Sequence, residues 1–353
     1  NIKTGKLDAN QADENGKYPF FTCSKEISKI NSYSYDCECV LVAGNGDLNV
    51  KYHNGKFEAY QRTYILTSTD VNTLSNKYIY WFMNRYIVQL RNQSIGGVIK
   101  YIKLGDLTNI SLNLPTLDVQ KRIVGIFESI ERLISKKVFI LKGLDDLIKS
   151  RFVEMFGDPN MVALNKSVKF SSVAKIITGN TPSRKLPEYY GDYIEWIKSD
   201  NIISTNLYIS QAKEFLSEQG AAKGRVAPKD SLLMTCIAGS IRSIGNVGIC
   251  DRSVAFNQQI NAIVLKNNIN PLYIYWLLKL FKPSIIANVE MSLKGIISKS
   301  QLENMLIPII ASQEEQELFI KFALQINKLK SDVQKSIDET QLLMDSLMQE
   351  YFG

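Results

Sequence analysis

The tetrapeptide Tyr-Ile-Tyr-Trp occurs twice in this chain, at Tyr78–Trp81 and again 195 residues later at Tyr273–Trp276. Other short segments recur in the same order and at similar offsets, which chance repeats would not do. A chain of two copies of one unit is typical of a protein that binds a two-part target. The further matching pairs are Thr4-Gly5 with Thr178-Gly179, Gln61 with Gln258, Gln120 with Gln316, and Phe156-Gly157 with Phe352-Gly353.

Two long helices are predicted at equivalent places in the copies, over residues 117–157 and 312–353. Apolar residues recur there at alternating spacings of three and four, the pattern of a coiled-coil seam. An antiparallel pair is favoured because the polar interruptions of the two stripes do not coincide. A stripe that packs on its own domain is the alternative. We expect Ile130 and Leu329 in particular to be buried in the seam. The predicted seam residues are Ile123, Ile126, Ile130, Leu133, Ile140, Leu144, Leu147, Phe319, Phe322, Ile326, Leu329, Val333, Leu343 and Leu347.

The remaining sequence forms two bodies, body one over residues 1–116 and body two over residues 158–311. Short apolar runs alternate with turn residues, which predicts strands followed by a helical end containing the repeated tetrapeptide. Asn45-Gly46 and Asn54-Gly55 are typical of hairpin turns. The predicted fold class is therefore α+β, with two mixed bodies in tandem and two long helices. Only three residues precede Thr4 in copy one, so we expect its first strand to be missing.

Composition indicates a folded chain that leans toward an anionic partner. Hydrophobic residues make up 45% of the sequence, yet no run approaches the ~18 apolar residues of a membrane span. The formal net charge of +7 favours an anionic partner, such as nucleic acid. Five cysteines form an odd set for a disulfide framework, so a reducing cytoplasm is the expected compartment.

The few residues able to bind a metal or act as a base do not form a recognisable site. His53 is the chain's one histidine and stands beside a predicted turn, where a surface role is expected. Cys37 and Cys39, even with Cys23 and His53, lack the spacing of structural zinc ligands. No metal site is therefore predicted.

Catalytic and phosphate-binding motifs are also missing from the sequence. Glu195 and Lys198 are separated by two residues, whereas a metal-dependent nuclease has Glu-x-Lys. The segment around Gly46 lacks the further glycine or the Gly-Lys-Ser/Thr of a phosphate-binding loop. The Asn-Pro-Pro-Tyr and Asp-Pro-Pro-Tyr motifs of amino-methyltransferases do not occur. The sequence therefore predicts a non-catalytic chain.

Polar and cationic side chains in predicted loops are the remaining candidates for binding. Arginine, asparagine and glutamine can form paired hydrogen bonds with base edges, whereas lysine mainly neutralises phosphate. For each of them, a solvated surface role is the alternative. The candidates are Lys25, Asn45, Lys51, Arg62, Asn92, Gln93 and Lys100 in copy one, and Asn180, Arg184, Lys185, Lys198, Asn201, Arg242, Lys294 and Lys299 in copy two.

The order body–helix–body–helix, together with several short segments, resembles the specificity subunits of type I restriction–modification systems. The segments Leu114–Ile123 and Ile307–Gln316 both lead from a proline to a glutamine at the start of a long helix. Ile177–Ser183, the Asn257-Gln258 element and the Phe-Gly pairs that end both helices are similar to the family as well. The resemblance covers essentially the whole chain.

This resemblance implies two target-recognition domains, each reading one half of a bipartite, asymmetric site in double-stranded DNA. The helices would set the spacing and dock two methyltransferase subunits, through which restriction/translocase subunits join. S-adenosylmethionine, ATP and Mg²⁺ would belong to those partners, and this chain would carry no cofactor. The alternative is a coiled-coil scaffold whose bodies bind proteins. Salt separates the two, because DNA binding weakens steeply with salt.

Overall fold

The structure is a computed structural model that describes residues 1–96, 99–161, 166–266, 269–287, 295–308 and 311–353. The chain forms two compact units. The first unit consists of Asn1–Ile140 with Asp332–Gly353, and the second unit of Leu141–Ser331. Each unit therefore contains one body and a part of both long helices. The sequence pattern, which separates the chain into body, helix, body and helix, does not show this sharing of the helices.

Body one is built on a six-stranded sheet in the order β1-β6-β4-β5-β2-β3, with β2 parallel to β5 and the other neighbours antiparallel. Successive residues of β4 point to opposite faces, and both faces are buried: Val40 and Val42 lie in one core cluster, Cys39 and Leu41 in another. The elements are β1 (Ile2–Thr4), β2 (Tyr18–Phe21), β3 (Ser28–Ile30), β4 (Tyr35–Ala43), β5 (Val50–Ala59), β6 (Thr63–Leu66), α1 (Asn76–Gln93), α2 (Leu104–Thr108) and the long helix α3 (Leu117–Phe156).

Body two contains two four-stranded sheets, β10-β9-β15-β11 and β14-β12-β16-β8, and two strand pairs, β13-β17 and β18-β7. The chain ends in the second long helix, α8. The elements are β7 (Ser167–Lys169), α4 (Phe170–Val173), β8 (Ala174–Thr178), β9 (Tyr190–Ile197), β10 (Phe215–Leu216), α5 (Glu218–Lys223), β11 (Val226–Ala227), β12 (Leu232–Thr235), β13 (Ile237–Ala238), β14 (Val247–Ile249), β15 (Val254–Phe256), β16 (Ile260–Leu265), α6 (Pro271–Ala287), β17 (Gly295–Ile296), α7 (Lys299–Asn304), β18 (Leu306–Pro308) and α8 (Gln313–Phe352).

The strand orders of the two bodies correspond. The order β1-β6-β4 in body one matches β8-β16-β12 in body two, and the parallel pair β2·β5 matches β9·β15. Strand β5 is continuous, whereas its counterpart is broken into β14 and β15, so one sheet becomes two. Strand β1 occupies the place of β8. Its three residues suffice to pair with β6. Body two has β7 and α4 before β8, so the expectation of a missing first strand in copy one stays a prediction.

The repeated Thr-Gly pair marks a close approach between backbones in both bodies. A Cβ atom on Gly5 would lie 2.1 Å from the Ala59 carbonyl oxygen, and one on Gly179 would lie 2.1 Å from the Asn257 carbonyl oxygen. No side chain fits at either distance. The sequence repeat therefore preserves a backbone crossing that only glycine permits.

One of the two predicted hairpin turns is present. Asn45 and Gly46 connect β4 to β5, and Gly46 has the positive φ of 71° that such a turn requires. Gly55 lies instead within β5, paired with Cys37, so the second turn prediction was wrong. His53 is consequently a strand residue, whose ring packs against two phenylalanine rings. At Gly55 the backbone has a positive φ of 124°, yet the pairing with β4 continues on both sides of it, so the chain does not turn.

Within the first unit, α3 and α8 pack antiparallel. The start of α3 lies beside the end of α8, and residues further along α3 lie beside earlier residues of α8. The Phe127 and Phe352 rings stack with centroids 5.9 Å apart. Further along α3, the Lys137 ammonium donates to the Ser336 carbonyl at 2.9 Å and to the Thr340 hydroxyl at 2.7 Å. A lysine at a seam position is thus accommodated because its ammonium finds oxygen acceptors on the facing helix.

The same antiparallel arrangement occurs in the second unit. The Phe152 and Phe319 rings meet edge to face at 5.2 Å, and the Lys330 ammonium pairs with the Asp145 carboxylate at 2.7 Å. The prediction of an antiparallel helix pair is confirmed within each unit.

Only part of the predicted seam is buried. Ile123, Ile130, Phe319 and Ile326 are buried, and Ile126, Leu144, Phe322, Val333 and Leu347 are half-buried. The prediction was wrong for five residues that are 46–53% exposed: Leu133, Ile140, Leu147, Leu329 and Leu343.

The predicted and observed seams differ in a regular way. At every second seam position, the residue that faces the other helix lies one residue further along the chain than predicted. Phe127 is buried where Ile126 was predicted, Ile148 where Leu147 was predicted, and Ala323 is fully buried. The physical reason is that apolar residues stand side by side at these positions, so spacings of three-then-four and four-then-three fit equally well. The adopted phase buries Phe127 and Ile148 on α3 and Ala323 on α8.

Gln120 and Gln316 have the same structural role at the start of the long helices. The Gln120 side-chain oxygen accepts a hydrogen bond from the Ser75 N–H at 2.9 Å, just before α1. The Gln316 oxygen accepts one from the Asn270 N–H at 3.1 Å, just before α6. Both glutamines are buried, and each satisfies one of the free N–H groups at a helix start.

The repeated tetrapeptides and the Phe-Gly pairs meet each other. Tyr78 of α1 lies 5.2 Å from Phe352, and Tyr273 of α6 lies 5.1 Å from Phe156, between ring centroids. Each tetrapeptide therefore packs against the terminal phenylalanine of the other copy's long helix. This exchange explains why both motifs recur together.

Candidate nucleic-acid interface

The loops that follow β2, β4 and β5 lie together at one end of the body-one sheet. The Gly44 N–H donates to the Arg62 carbonyl at 2.8 Å, and the Asn49 side-chain amide donates to the Cys23 carbonyl at 2.8 Å. We call residues 22–26, 44–49 and 60–62 the body-one edge. Lys25, Asn45 and Arg62 belong to it, and Lys51 is the second residue of the adjoining strand β5, so the structure brings these four candidates together.

Two lysines of this group are engaged in contacts within the body. Lys25 pairs with Asp47 at 2.7 Å, and Arg91 approaches the same carboxylate at 3.5 Å. The pKa of the Asp47 carboxyl is held below its ordinary value by the hydrogen bond from Lys25. The Lys51 ammonium donates to the Ser24 carbonyl at 2.5 Å, and burial lowers its pKa. Exposed ion pairs are weak, so Lys25 remains free to exchange partners, whereas Lys51 acts mainly on the loop.

The other candidates of body one have free side chains. Within the described ranges, their side-chain polar groups form no hydrogen bond or ion pair, and all but Asn45 are exposed. Such groups can bind a partner without first breaking an internal contact. They are Asn45, Arg62, Asn92, Gln93 and Lys100.

The corresponding loops of body two form a second edge. The Thr181 hydroxyl hydrogen-bonds with the Gln258 side-chain oxygen, which joins the loop after β8 to the loop between β15 and β16. The Cys236 N–H donates to the Gln259 carbonyl at 2.8 Å, which adds the loop after β12. We call residues 179–185, 198–201, 236–246 and 257–259 the body-two edge. By the strand correspondence, it lies at the same end of the fold as the body-one edge.

A group of cations and aromatic rings stands on the body-two edge. The Arg184 guanidinium lies 5.0 Å from the Tyr190 ring centroid and 5.4 Å from that of Trp196. Arg184 also pairs with Glu214 at 2.7 Å, and Lys198 contacts the same carboxylate. Hydrogen bonds from Lys198 and Arg184 lower the pKa of the Glu214 carboxyl. The two cations therefore share one carboxylate, with one negative charge between them.

Asn201 and Asn180 do not have the free amides expected of base-reading residues. Asn201 is buried, and its amide donates to the Gln211 carbonyl at 2.8 Å while its oxygen accepts from the Lys198 N–H at 3.0 Å. The Asn180 amide donates to the Lys223 carbonyl at 2.9 Å. A buried amide that is already paired cannot also bind a base. The contacts of Asn201 shape the loop and disfavour base reading, and its assignment to DNA binding stays a prediction.

The remaining candidates of body two differ in their surroundings. Lys185 and Arg242 are exposed, and their charged groups have no hydrogen-bond or ion-pair partner among the described residues. Lys299 approaches Glu303 at 3.5 Å and lines a cleft of 560 Å³ along β8 and β11. Lys294 lies outside the described residues. Lys185 and Arg242 are therefore the free cations of this edge.

Several residues that shape the body-two edge carried no signal in the sequence. Glu214, which holds Arg184 and Lys198, lies in a segment that copy one lacks, so the repeat could not indicate it. Glu195 was compared above with a nuclease carboxylate. It accepts two hydrogen bonds from Arg252, at 2.6 and 2.7 Å, and is thereby fixed in a structural ion pair.

In the part of the chain that the structure describes, no three His, Cys, Asp or Glu side chains come together in a way that could hold a metal ion. Nor does any described helix combine the length and apolar character needed to cross a membrane.

The family model of the type I restriction modification DNA specificity domain matches residues 1–139 and 164–339. The chain belongs to this family. The two matched segments correspond to the two copies of the repeat, so family membership extends over both bodies. The resemblance inferred from the helix-opening segments and the repeated motifs is confirmed.

The chain is similar in sequence to specificity subunits of type I restriction enzymes. The chain is 42% identical over 148 residues to the type I restriction enzyme EcoDI specificity subunit of Escherichia coli, a match that covers 42% of this chain and 33% of that protein. It is 32% identical over 111 residues to the HindI specificity subunit of Haemophilus influenzae, covering 31% and 23% of the two proteins. It is 25% identical over 183 residues to the MjaIX specificity subunit of Methanocaldococcus jannaschii, covering 49% and 41%. The chain thus spans less than half the length of each of these relatives.

Solved structures of the family share the fold over nearly the whole chain. The type I system S subunit from M. genitalium aligns over 100% of this chain and 93% of its own, with a TM-score of 0.56 and 15% identity. A chain from a study of complex assembly and conformational transition of the type I system aligns over 99% and 94%, with a TM-score of 0.61 and 14% identity. The family fold is thus two mixed bodies in tandem with a pair of long antiparallel helices.

Proposed function

We propose that this chain is the sequence-recognition subunit of a type I restriction–modification complex, in which each body reads one half of a bipartite site in double-stranded DNA. The observation that carries this proposal is the family match over both bodies. The two edges support it, because they gather free polar and cationic side chains at corresponding ends of two related folds.

The two edges present different side chains, which supports an asymmetric target. The body-one edge offers Arg62 and Asn45, with Lys100 nearby, whereas the body-two edge offers Lys185 and Arg242. Base edges are distinguished by the pattern of donors and acceptors that meets them. Two bodies with different patterns at the same place in the fold would therefore read different half-sites.

The proposal assigns no catalysis to this chain. Methylation and cleavage would be carried out by partner subunits in the cytoplasm, which would bind S-adenosylmethionine, ATP and Mg²⁺. Support comes from the sequence, which has none of the motifs for these reactions. The long helices would set the spacing of the half-sites.

We further propose that the long helices dock two methyltransferase subunits, through which restriction subunits join. Several large apolar side chains on these helices are exposed, where an isolated subunit would leave them in water. The most exposed of them in the first unit are Phe139 at 76% and Leu342 at 69%, followed by Leu343 at 53% and Val138 at 52%. Apolar residues exposed in number along one element are typical of a protein interface.

Replacing Phe139 by aspartate is expected to weaken binding of the methyltransferase subunit by about tenfold or more, about 1.4 kcal/mol, because an apolar anchor is exchanged for a charge that must be desolvated. Co-purification and titration calorimetry with the purified methyltransferase subunit would measure this. Ser135→Asp, at an exposed position on the same helix, is the matched control, because it also adds one negative charge. Equal binding by the Phe139 variant and the original chain would contradict the assignment.

The recognition function is tested by DNA binding of the purified complex of this chain with methyltransferase subunits. We expect selective binding to the site that is methylated in the host, with affinity falling steeply as salt rises. The scaffold alternative predicts tight protein binding that salt barely changes and no selectivity among duplexes. The chain without partner subunits is expected to show no methylation or cleavage, and turnover by such a preparation would overturn the non-catalytic assignment.

A further inference from the structure

A pocket rich in lysine lies in the second unit, between α3, α6 and the loops that precede β10 and β14. Its volume is 340 Å³, large enough for a phosphate group and several waters. Lys149, Lys279 and Lys282 line it together with Ser204, Thr205 and Asn246. Three ammonium groups and three neutral hydrogen-bonding side chains facing one cavity are suited to an anion with several oxygen atoms.

Lys279 is the residue that most needs explanation. Its side chain is half-buried, and its ammonium lies 4.8 Å from the Trp276 ring centroid and 5.4 Å from that of Tyr275. Its one hydrogen bond within the described ranges goes to the Tyr275 hydroxyl, at 3.3 Å. An ammonium has three donors, so two of them are available to a bound group. Burying a charge with so few partners costs free energy, which a ligand would offset.

The fold itself does not require these lysines. The repeat places Asn84 of α1 at the position of Lys279, and Ile87 at the position of Lys282, counted from the matching tetrapeptides. Ile87 is buried in the core of body one. Where copy one fills the space with an apolar side chain, copy two has a cavity lined by cations. The lysines at these two positions are therefore a feature of copy two.

We propose that this pocket binds a phosphate group. We favour a phosphate of the DNA backbone, beside the half-site that body two reads, as the source of this group. That choice of source rests on the proposed function. Lys282 connects the pocket with the body-two edge, since its ammonium donates to the Arg242 carbonyl at 2.7 Å and to the Asn246 side-chain oxygen at 2.6 Å. A free phosphate or nucleotide would offer the same chemistry.

The acidic residues near the pocket leave it cationic. Asp145 lines it, but its carboxylate is paired with Lys330 of α8 at 2.7 Å. Lys149 approaches Asp146 at 3.3 Å in an exposed ion pair, which is weak and exchanges readily. Lys279 and Lys282 have no carboxylate partner within the described ranges. Two unneutralised ammonium groups therefore remain for the ligand.

Phosphate binding to this pocket should weaken in mildly alkaline solution. Burial lowers the pKa of Lys279 to about 8, so its ammonium begins to lose its proton just above neutral pH. A bound phosphate would raise that pKa, so affinity is fully present below about pH 8 and falls as pH rises through the bound-state value. The other charged or titratable groups facing Lys279 are Asp145, Lys149, Lys282, Lys330 and Tyr275.

The experiment compares Lys279→Met with the original chain in the methyltransferase complex. For a backbone contact, the slope of log affinity against log salt should fall by about 0.9, with unchanged discrimination between sequences. Lys149→Met provides a second pocket variant at a more exposed position, in case the first variant folds poorly. Lys142→Met, at an exposed position on the same helix, is the control and should leave the slope unchanged.

A second measurement separates the two sources of phosphate. The pKa of Lys279, followed by NMR of ¹³C-methylated lysines in the full chain, should rise in the presence of inorganic phosphate. A changed salt slope identifies the DNA backbone as the source. An unchanged slope with a phosphate-dependent pKa identifies a free phosphate, and absence of both effects overturns the proposal. If the original complex fails to select any DNA sequence, the proposed function fails, while the phosphate titration still decides about the pocket.

Discussion

Replacing Phe127 by alanine is expected to lower the free energy of unfolding of the first unit by about 3–5 kcal/mol. The Phe127 side chain is fully buried, and its ring lies 5.0 Å from that of Trp81 and 5.9 Å from that of Phe352. Alanine would leave a cavity where α1, α3 and α8 meet and would remove stacked aromatic contacts. Phe127 joins three helices, so the effect should reach all of them.

Hydrogen exchange with mass spectrometry measures this effect separately in each unit. Peptides from α1 should lose protection in the Phe127 variant. Phe139→Ala is the matched control, since it removes the same side chain from the same helix at a position that is 76% exposed. Its expected effect is within about 0.5 kcal/mol. Similar losses for both variants would contradict the seam observed here.

The seam also shows how far a sequence pattern specifies a helix pair. The period of the stripe predicts two long helices, and they are found at Leu117–Phe156 and Gln313–Phe352. The phase does not follow from the period, because neighbouring residues such as Leu147 and Ile148 are both apolar. Burial of one or the other depends on the facing helix and on α6, which are distant in sequence. Leu329 was misplaced for a different reason, since the next residue is Lys330, whose ammonium pairs with Asp145 on the facing helix.

The candidate site could be predicted only as a set of residue types. Arginines and lysines in loops were recognised as candidates from composition, and the structure brings several of them to one edge of each body. The sequence did not indicate which residues of the same body these side chains would contact. Glu214 pairs with Arg184 and Lys198 from a loop without a counterpart in copy one. The Asn201 amide group is engaged in hydrogen bonds within body two. Such contacts depend on tertiary structure, whereas a repeat reports only what both copies share.

If each body reads one half-site, replacing an arginine of one body should change the sequence preference in one half-site only, and replacing an arginine of the other body should change it in the other half-site. Arg62 stands on the body-one edge and Arg242 on the body-two edge, and neither guanidinium has a hydrogen-bond or ion-pair partner in the described residues. Arg62→Ala and Arg242→Ala are each expected to relax recognition in one half-site by ~1–3 kcal/mol per base pair read, and to leave the other half-site unchanged. Each variant therefore serves as the control for the other.

The measurement is competition binding by the methyltransferase complex against duplexes that carry every single base-pair change in the site. An arginine that reads guanine makes two hydrogen bonds to one base, so its loss flattens the preference at that base pair alone. An arginine that contacts phosphate would instead weaken binding to all duplexes equally and lower the salt slope by about 0.9. Loss of preference in the same half-site for both variants, or a palindromic target, would contradict the division of recognition between the bodies. The separation follows from the fold, because each edge is built by strands and loops of a single body.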